Sequence, residues 1–211
     1  MLFDAETRPS RMVQLAFGVV TVLIVASGLL FPVLGTYTHS FKGRGEDANS
    51  TALTLDGAST LVTLTDYQSI MCWQKQLGDQ PVIVAELSDG AYNHPIVNAR
   101  VSGLTGVPDV LGWSNHERQW RGTTYDEAAG NRQADLDTLF KNGRWETAQT
   151  IIQQYGISYI FFGSSEREKY GSAGEEKFAD HLQPVCSVSD GNGQPVSVFY
   201  RVDSTALVNP Q

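Results

Sequence analysis

The chain has 211 residues, which is enough for one domain of ordinary size together with a tail or an anchor. Hydrophobic residues make up 41% of it, so it can bury a sizeable core, and 23 acidic against 15 basic residues give a formal net charge of −8. This balance argues against nucleic acid as a partner and against docking on anionic lipid through a basic patch, because both require a positive face.

The first predicted element is an apolar helix at residues 12–35, which follows a short polar tail at 1–11. The segment from Leu15 to Leu34 contains no charged residue. Twenty helical residues span about 30 Å, the thickness of the hydrocarbon core of a bilayer. A cleaved signal peptide is the alternative, but its apolar region is usually only about 7–15 residues long and ends in a small-residue cleavage site. We therefore predict a retained transmembrane helix.

The charges that flank this helix indicate its orientation. Arg8 and Arg11 precede it closely, and Lys42 and Arg44 follow it, so the positive-inside rule gives a near tie. Both arginines of the short N-terminal tail adjoin the helix, which favours a cytoplasmic N-terminus. We expect a single-pass protein of the cell membrane with the bulk of the chain outside the cytoplasm.

The chain has two cysteines, Cys72 and Cys186. Outside the cytoplasm they can form a disulfide that closes a long loop, and two separate buried thiols are the alternative. Neither lies in a CxxC motif or in a Cys/His cluster with zinc spacing, so we expect no metal site. Dinucleotide, P-loop, nucleophile-elbow and zincin motifs are absent from the sequence, and we expect no cofactor.

The remaining pattern predicts an α/β domain. Residues 36–60 are rich in small polar residues and indicate a linker. Helical spacing occurs at 63–78, 131–142, 144–155 and 175–182, the third of these ending at Gly156. Strands are predicted at 81–87, 96–101 and 157–163, an ordered loop at 102–122, and a hairpin with strands 184–189 and 195–202 around a turn at 190–193. We expect a compact, three-layer-like α/β domain at 61–203 with a C-terminal β-hairpin, followed by a loose tail at 204–211.

The stretch "LGWSNHERQWRG", at 111–122, is the densest in functional side chains. The histidine and the glutamate can serve as acid or base, the arginines can hold a phosphate or carboxylate, and the tryptophans can stack on a sugar ring or a lipid head group. A polar and aromatic cluster that satisfies its own backbone is the alternative, and we favour it. Six side chains are candidates for a ligand or interface loop: Trp113, His116, Glu117, Arg118, Trp120 and Arg121.

A second cluster, "GSSEREKYG" at 163–171, follows a predicted strand directly. Ligands of α/β sheets commonly bind at the carboxyl ends of strands, which makes Glu166, Arg167 and Tyr170 further candidates. The alternative, which we favour, is a helix start capped by Ser164 or Ser165 with support from Glu168. An ion pair between Glu166 or Glu117 and Arg121 or Arg167 would link the two clusters.

Several segments together resemble a known family. They are "TGVPDVLGWSNHERQWRG" at 105–122, "NRQADLDTLF" at 131–140, "YGISYIFFGSSEREKYG" at 155–171 and "VFYRV" at 198–202. The pattern looks like the last transmembrane helix and C-terminal extracytoplasmic domain of the chlor-archaeal YYY membrane proteins, which are grouped with oligosaccharyltransferase-like C-type glycosyltransferases. Asp109 departs from it, since a small or hydroxyl residue is expected there.

The resemblance implies a limited role for this chain. Such transferases keep their catalytic acidic residues in an early loop between membrane helices and use a lipid-linked sugar donor, and this chain lacks that region. We therefore expect no catalysis by the chain alone, and a split or shortened copy retained as an accessory subunit. The expected partners are other membrane protein subunits, with a glycan or lipid-linked sugar as a further candidate. A non-catalytic component of a split glycosyltransferase and a ligand-binding sensor domain remain alternatives.

Overall fold

The computed structural model describes residues 10–38, 57–88, 98–141 and 143–203. The chain divides into two compact units, Met1–Leu55 and Asp56–Gln211. Most of the predicted N-terminal tail, most of the predicted linker and the predicted C-terminal tail lie outside the described residues, as do three of the four charges used to orient the chain.

The first unit contains helix α1, Arg11–Tyr37, which confirms the predicted apolar helix. Its N-cap is Ser10, whose hydroxyl accepts a hydrogen bond from the N–H of Val13. None of its residues is buried, and its length and composition suffice to cross a membrane. The hydroxyls of Thr21 and Ser27 donate to carbonyls of the preceding turn, at 2.9 Å each, so the helix satisfies its own polar groups.

The second unit is built on a four-stranded mixed sheet with the order β1-β2-β4-β3. The strands are β1 (Val84–Ala85), β2 (Tyr159–Phe162), β3 (Gln183–Ser189) and β4 (Pro195–Arg201). Strand β1 runs parallel to β2, while β2 and β3 are both antiparallel to β4. The predicted strand after residue 157 and the predicted C-terminal hairpin are confirmed.

Nine α-helices lie in the described residues of the second unit. They are α2 (Ala58–Leu61), α3 (Leu64–Gln74), α4 (Arg100–Thr105), α5 (Ser114–Arg121), α6 (Tyr125–Ala129), α7 (Arg132–Lys141), α8 (Trp145–Tyr155), α9 (Ser164–Tyr170) and α10 (Ala173–His181). The four helices predicted from spacing correspond to α3, α7, α8 and α10. Gly156 ends α8 in the left-handed conformation (φ 62°), as a C-terminal glycine cap requires.

Both faces of the sheet are buried, because alternate residues of each strand point to opposite sides. Ile160 and Phe162 of β2 belong to a core that also contains residues of α7, α8 and α10. On the other face, Phe161 and Phe199 pack with α3, where the Trp73 ring stacks on the Phe199 ring with 4.5 Å between centroids. The sheet is thus the middle layer between two groups of helices.

Two local predictions are wrong, and a third is right only in part. The strand predicted at 81–87 contains only two ladder residues, and the strand predicted at 96–101 overlaps α4, while residues 96 and 97 lie outside the described chain. The ordered loop predicted at 102–122 contains the rest of α4 and all of α5. The start of α4 depends on Glu86, whose carboxylate oxygens each accept a hydrogen bond of 3.0 Å from the N–H groups of Val101 and Ser102. A cap supplied from so far along the chain leaves no local signal.

The cap of α9 also differs from the prediction. Gly163, not a serine, occupies the N-cap position, and its N–H donates to the Glu166 carboxylate at 2.9 Å. The capping partner is therefore Glu166 and not Glu168. A side chain at position 163 would crowd its neighbours, because a Cβ there would lie 2.7 Å from Asp66 Oδ1 and from the Phe161 ring.

Candidate functional site

A cleft of about 370 Å³ lies between α4 and α5. Its volume is at the small end of the range of about 300–1,000 Å³ that is typical of small-molecule sites. Four of the predicted site residues line it, together with residues of α4 and of the connection between the two helices. The lining residues are Ala99, Ser102, Gly103, Gly112, Trp113, His116, Glu117 and Trp120.

Helix α5 brings these predicted side chains together. Trp113 is its N-cap, and His116, Glu117 and Trp120 follow at three, four and seven residues, so all four share one helical face. The same spacing is readable in the sequence, although the flanking glycines and the polar composition favoured a loop. Trp113 is held in place by its Nε1–H, which donates to the carbonyl of Asn98 at 2.9 Å.

The two tryptophans of the cleft differ in exposure. Trp113 is half-buried, and its ring centroid lies 5.9 Å from that of His116. Trp120 is 87% exposed. The interpretation of this stretch as a packed cluster therefore holds for Trp113 and is wrong for Trp120, whose removal should leave the fold intact. A large aromatic ring kept in water beside a cleft is typical of a binding surface.

Two carboxylates converge beneath the cleft at Gly112. A Cβ at this position would lie 3.4 Å from Glu117 Oε1 and 3.7 Å from Asp109 Oδ1. Burial raises the pKa of the Asp109 carboxyl to about 6; its own backbone N–H opposes this shift, and the nearby charge of Glu117 adds to it. The second oxygen of Asp109 is buried without a hydrogen-bond partner. The lining of the cleft therefore includes the carboxylate of Glu117, and that of Asp109 lies close to it at Gly112.

The two arginines of α5 are both engaged by carboxylates. Arg121 Nε lies 3.1 Å from Glu117 Oε2, whereas Glu117 Oε1 is the oxygen close to the Cβ position of Gly112. Arg118 pairs with Asp126 at 2.7 Å, and its guanidinium lies 4.7 Å from the centroid of the Tyr125 ring. Neither arginine lines the cleft.

The second predicted cluster does not contribute to the cleft. Glu166 is fully buried, accepts the N–H of Leu87 at 2.7 Å and forms an ion pair with Arg100. Arg167 donates to the carbonyl of Val196 at 2.8 Å and pairs with Glu175. Tyr170 donates to Asp137 at 2.7 Å and stacks on Phe140. All three residues have structural partners, although the helix start is capped by Gly163 and Glu166 and not by the predicted serine and Glu168.

The ion pair predicted between the two clusters is wrong. Glu117 pairs with Arg121 inside α5, Glu166 pairs with Arg100, and Arg167 pairs with Glu175.

Sequence reasoning missed a fully buried network of charged side chains centred on Arg100. Arg100 lies between Asp66 and Glu166, at 2.7 Å from Asp66, and also donates to Ser165 at 3.0 Å. Ser197 on β4 donates to the same Asp66 carboxylate. These residues come from four distant segments, and only Glu166 was a candidate from the sequence.

The two cysteines are joined in the structure. A disulfide connects Cys72 on α3 with Cys186 on β3 across 114 residues of sequence. Gln76, which follows α3, donates from Nε2 to the Cys186 sulfur at 3.1 Å. The disulfide thus fastens α3 to the sheet face on which Trp73 packs.

No group of three or more histidine, cysteine, aspartate or glutamate side chains within the described residues is arranged to hold a metal ion. Comparisons of the chain with protein-family models, with curated proteins and with solved structures returned no match.

Proposed function

We propose that this chain is a single-span membrane protein whose α/β domain lies outside the cytoplasm and acts as an interaction subunit of a membrane assembly, without catalysis of its own. The observation that carries the proposal is α1. Its 27 residues extend for about 40 Å, and none of them is buried. Such an apolar surface requires a cover, which a bilayer and neighbouring membrane helices supply.

The disulfide supports the proposed side of the membrane. Structural disulfides persist in oxidising compartments outside the cytoplasm and are rare inside it. Cys72 and Cys186 belong to the second unit, so their bond favours an extracytoplasmic location for that unit. This argument is independent of the flanking charges, which are nearly balanced.

The surface of α1 supports contact with partner helices. Membrane helices approach one another closely where small residues interrupt their apolar surface. A Cβ at Gly18 or Gly28 would meet no other atom within 4 Å, so the surface at these positions is open. Ala26 and Ser27 add further small side chains beside Gly28.

A second candidate function is an extracytoplasmic ligand-binding domain, and the cleft between α4 and α5 favours it. An exposed Trp120 beside Glu117 provides a flat apolar surface next to a polar group. The resemblance to glycosyltransferase-related membrane proteins adds a third candidate, a non-catalytic component of a split system that acts on lipid-linked or surface glycans.

The proposal is tested in two steps on the full chain in its native membrane. Protease added to intact cells should digest the second unit, and alkylation before lysis should leave Cys72 and Cys186 bonded. Protection of the unit until lysis would contradict the proposed orientation.

Purification in a mild non-ionic detergent should then recover a companion in fixed stoichiometry. A photo-crosslinking residue in place of Leu23 on α1 should crosslink to that companion, whereas the same residue in place of the exposed Gln153 reports contacts of the second unit. A monodisperse monomer without a companion would contradict the role as an interaction subunit, even if the topology is as proposed.

A further inference from the structure

We infer that the cleft between α4 and α5 binds an organic cation of the alkylammonium class, held by the indole rings of Trp113 and Trp120 and by the carboxylate of Glu117, with the carboxylate of Asp109 nearby at Gly112. This inference concerns a small-molecule site and does not depend on the proposed membrane assembly.

The aromatic part of the site has the character that such cations require. An ammonium group is attracted to the electron-rich face of an aromatic ring, most strongly to that of tryptophan, and quaternary ammonium groups are recognised in this way by aromatic cages. Trp113 and Trp120 line the same cleft, and the bond from Trp113 Nε1 to Asn98 fixes one of the two rings. Trp120 is largely exposed, so a ligand would cover apolar surface that water now covers.

The carboxylates of Glu117 and Asp109 favour a cation over an anion or a neutral ligand. Glu117 Oε1 and Asp109 Oδ1 both lie within 4 Å of the Cβ position of Gly112, and Arg121 engages the other oxygen of Glu117. The two carboxylates repel each other, which contributes to the raised pKa of Asp109. A cation in the cleft relieves this repulsion, whereas an anion increases it.

The basic residues of α5 offset only part of this negative charge, since Arg121 supplies a counter-charge to Glu117 from outside the cleft and Arg118 is engaged elsewhere. Arg118 is held by Asp126 and the Tyr125 ring, and Arg121 pairs with one oxygen of Glu117 at an exposed position. Asp109 Oδ2 has no hydrogen-bond partner. None of the described residues that line the cleft carries a guanidinium or ammonium group that could occupy the place of a bound cation.

The test is the binding of choline chloride to the full chain in a non-ionic detergent, measured by calorimetry and by tryptophan fluorescence. The control ligand is 3,3-dimethyl-1-butanol, which has the same shape with a carbon atom in place of the charged nitrogen. We expect choline to bind about 2- to 30-fold more tightly than the alcohol, the range that a cation–aromatic contact supports. Equal binding of the two ligands would overturn the inference, as would binding of methyl glucoside in the absence of choline binding.

Variants locate the site. Trp120→Ala and Glu117→Gln should each weaken choline binding, and Trp120→Phe should retain part of it because it keeps a ring. Trp145→Phe is the matched control, since Trp145 stacks on His181 and does not line the cleft. Because Trp120 is exposed, its variants should keep the circular dichroism and melting temperature of the wild type. Unchanged choline affinity in folded Trp120→Ala would overturn the inference.

Discussion

Arg100 on α4 and Glu166 on α9 form an ion pair in which both side chains are completely buried. The same guanidinium also binds Asp66 on α3, so one positive charge connects three helices. The pairing supplies these buried charges with counter-charges, without which each of them would be costly.

Removing one member of this network should therefore destabilise the domain strongly. For Arg100→Ala we expect a loss of about 3–5 kcal/mol in the free energy of unfolding, because two buried carboxylates lose their counter-charge. Urea denaturation of the full chain in detergent measures this loss. Arg118→Ala is the matched control, since its ion pair with Asp126 is largely exposed and should contribute no more than about 1 kcal/mol. Similar losses in the two variants would contradict the central role of Arg100.

The contribution of Glu86 to the stability of the domain should decrease as the pH rises. Burial raises the pKa of Glu86 to about 8, and the nearby charge of Asp109 adds to this rise. The charge of Arg100 and the hydrogen bonds from the N–H groups of Val101 and Ser102 oppose it. The folded protein therefore holds a proton that the unfolded chain releases near its ordinary pKa of 4.5. The stabilisation is complete below about pH 4.5 and is lost as the pH rises through about 8. The pKa of Asp109, which is raised to about 6, adds a loss of stability of the same sign at lower pH.

Denaturation midpoints at pH 5, 7 and 9 measure this effect. Glu86→Gln should flatten the decline between pH 5 and pH 9, because its side chain does not ionise. Glu127→Gln, at an exposed position on α6, should keep the wild-type profile. A Glu86→Gln variant whose stability falls with pH as steeply as that of the wild type would show that Glu86 is not the responsible group.

The disulfide should contribute substantially to stability, because it closes a long loop in the unfolded chain. For a separation of 114 residues, the loss of entropy in the unfolded state corresponds to about 4–5 kcal/mol. Reductant should therefore lower the melting temperature of the wild type. The double variant Cys72→Ala/Cys186→Ala should melt at a lower temperature and should not respond to reductant. A wild-type melting temperature that reductant leaves unchanged, with reduction verified by thiol labelling, would contradict this prediction.

Gly174 should not tolerate a side chain. A Cβ at this position would lie 2.1 Å from the carbonyl oxygen of Phe140, where α10 begins against the end of α7. Because backbone cannot move aside as a flexible side chain can, Gly174→Ala should cost about 1–3 kcal/mol or more. Gly191→Ala, in the hairpin turn, meets nothing within 4 Å and serves as the control. Thermal unfolding of both variants compares them, and equal melting temperatures would show that the α7–α10 contact is not as close as described.

The elements that the sequence predicted well are those whose signals are local. The charge-free run in α1, the apolar spacing of α8 with its glycine cap, and the alternation of the C-terminal hairpin each follow from neighbouring residues. Periodicity determines which face of such an element is apolar, and burial of that face then selects the helix or the strand. The candidate residues of α5 were also identified in this way, by their density in one short stretch.

Only the tertiary structure decided how those residues are used. Helix α4 begins where Glu86, the residue after β1, accepts hydrogen bonds from its first N–H groups. Arg100 can be buried because Asp66 and Glu166, from other segments, pair with it. Trp120 and Trp113 look alike in the sequence, but one remains in water while Asn98 binds the other. Contacts between residues far apart in the chain leave no local pattern, so the distinction between a packed cluster and an open cleft arises from folding alone.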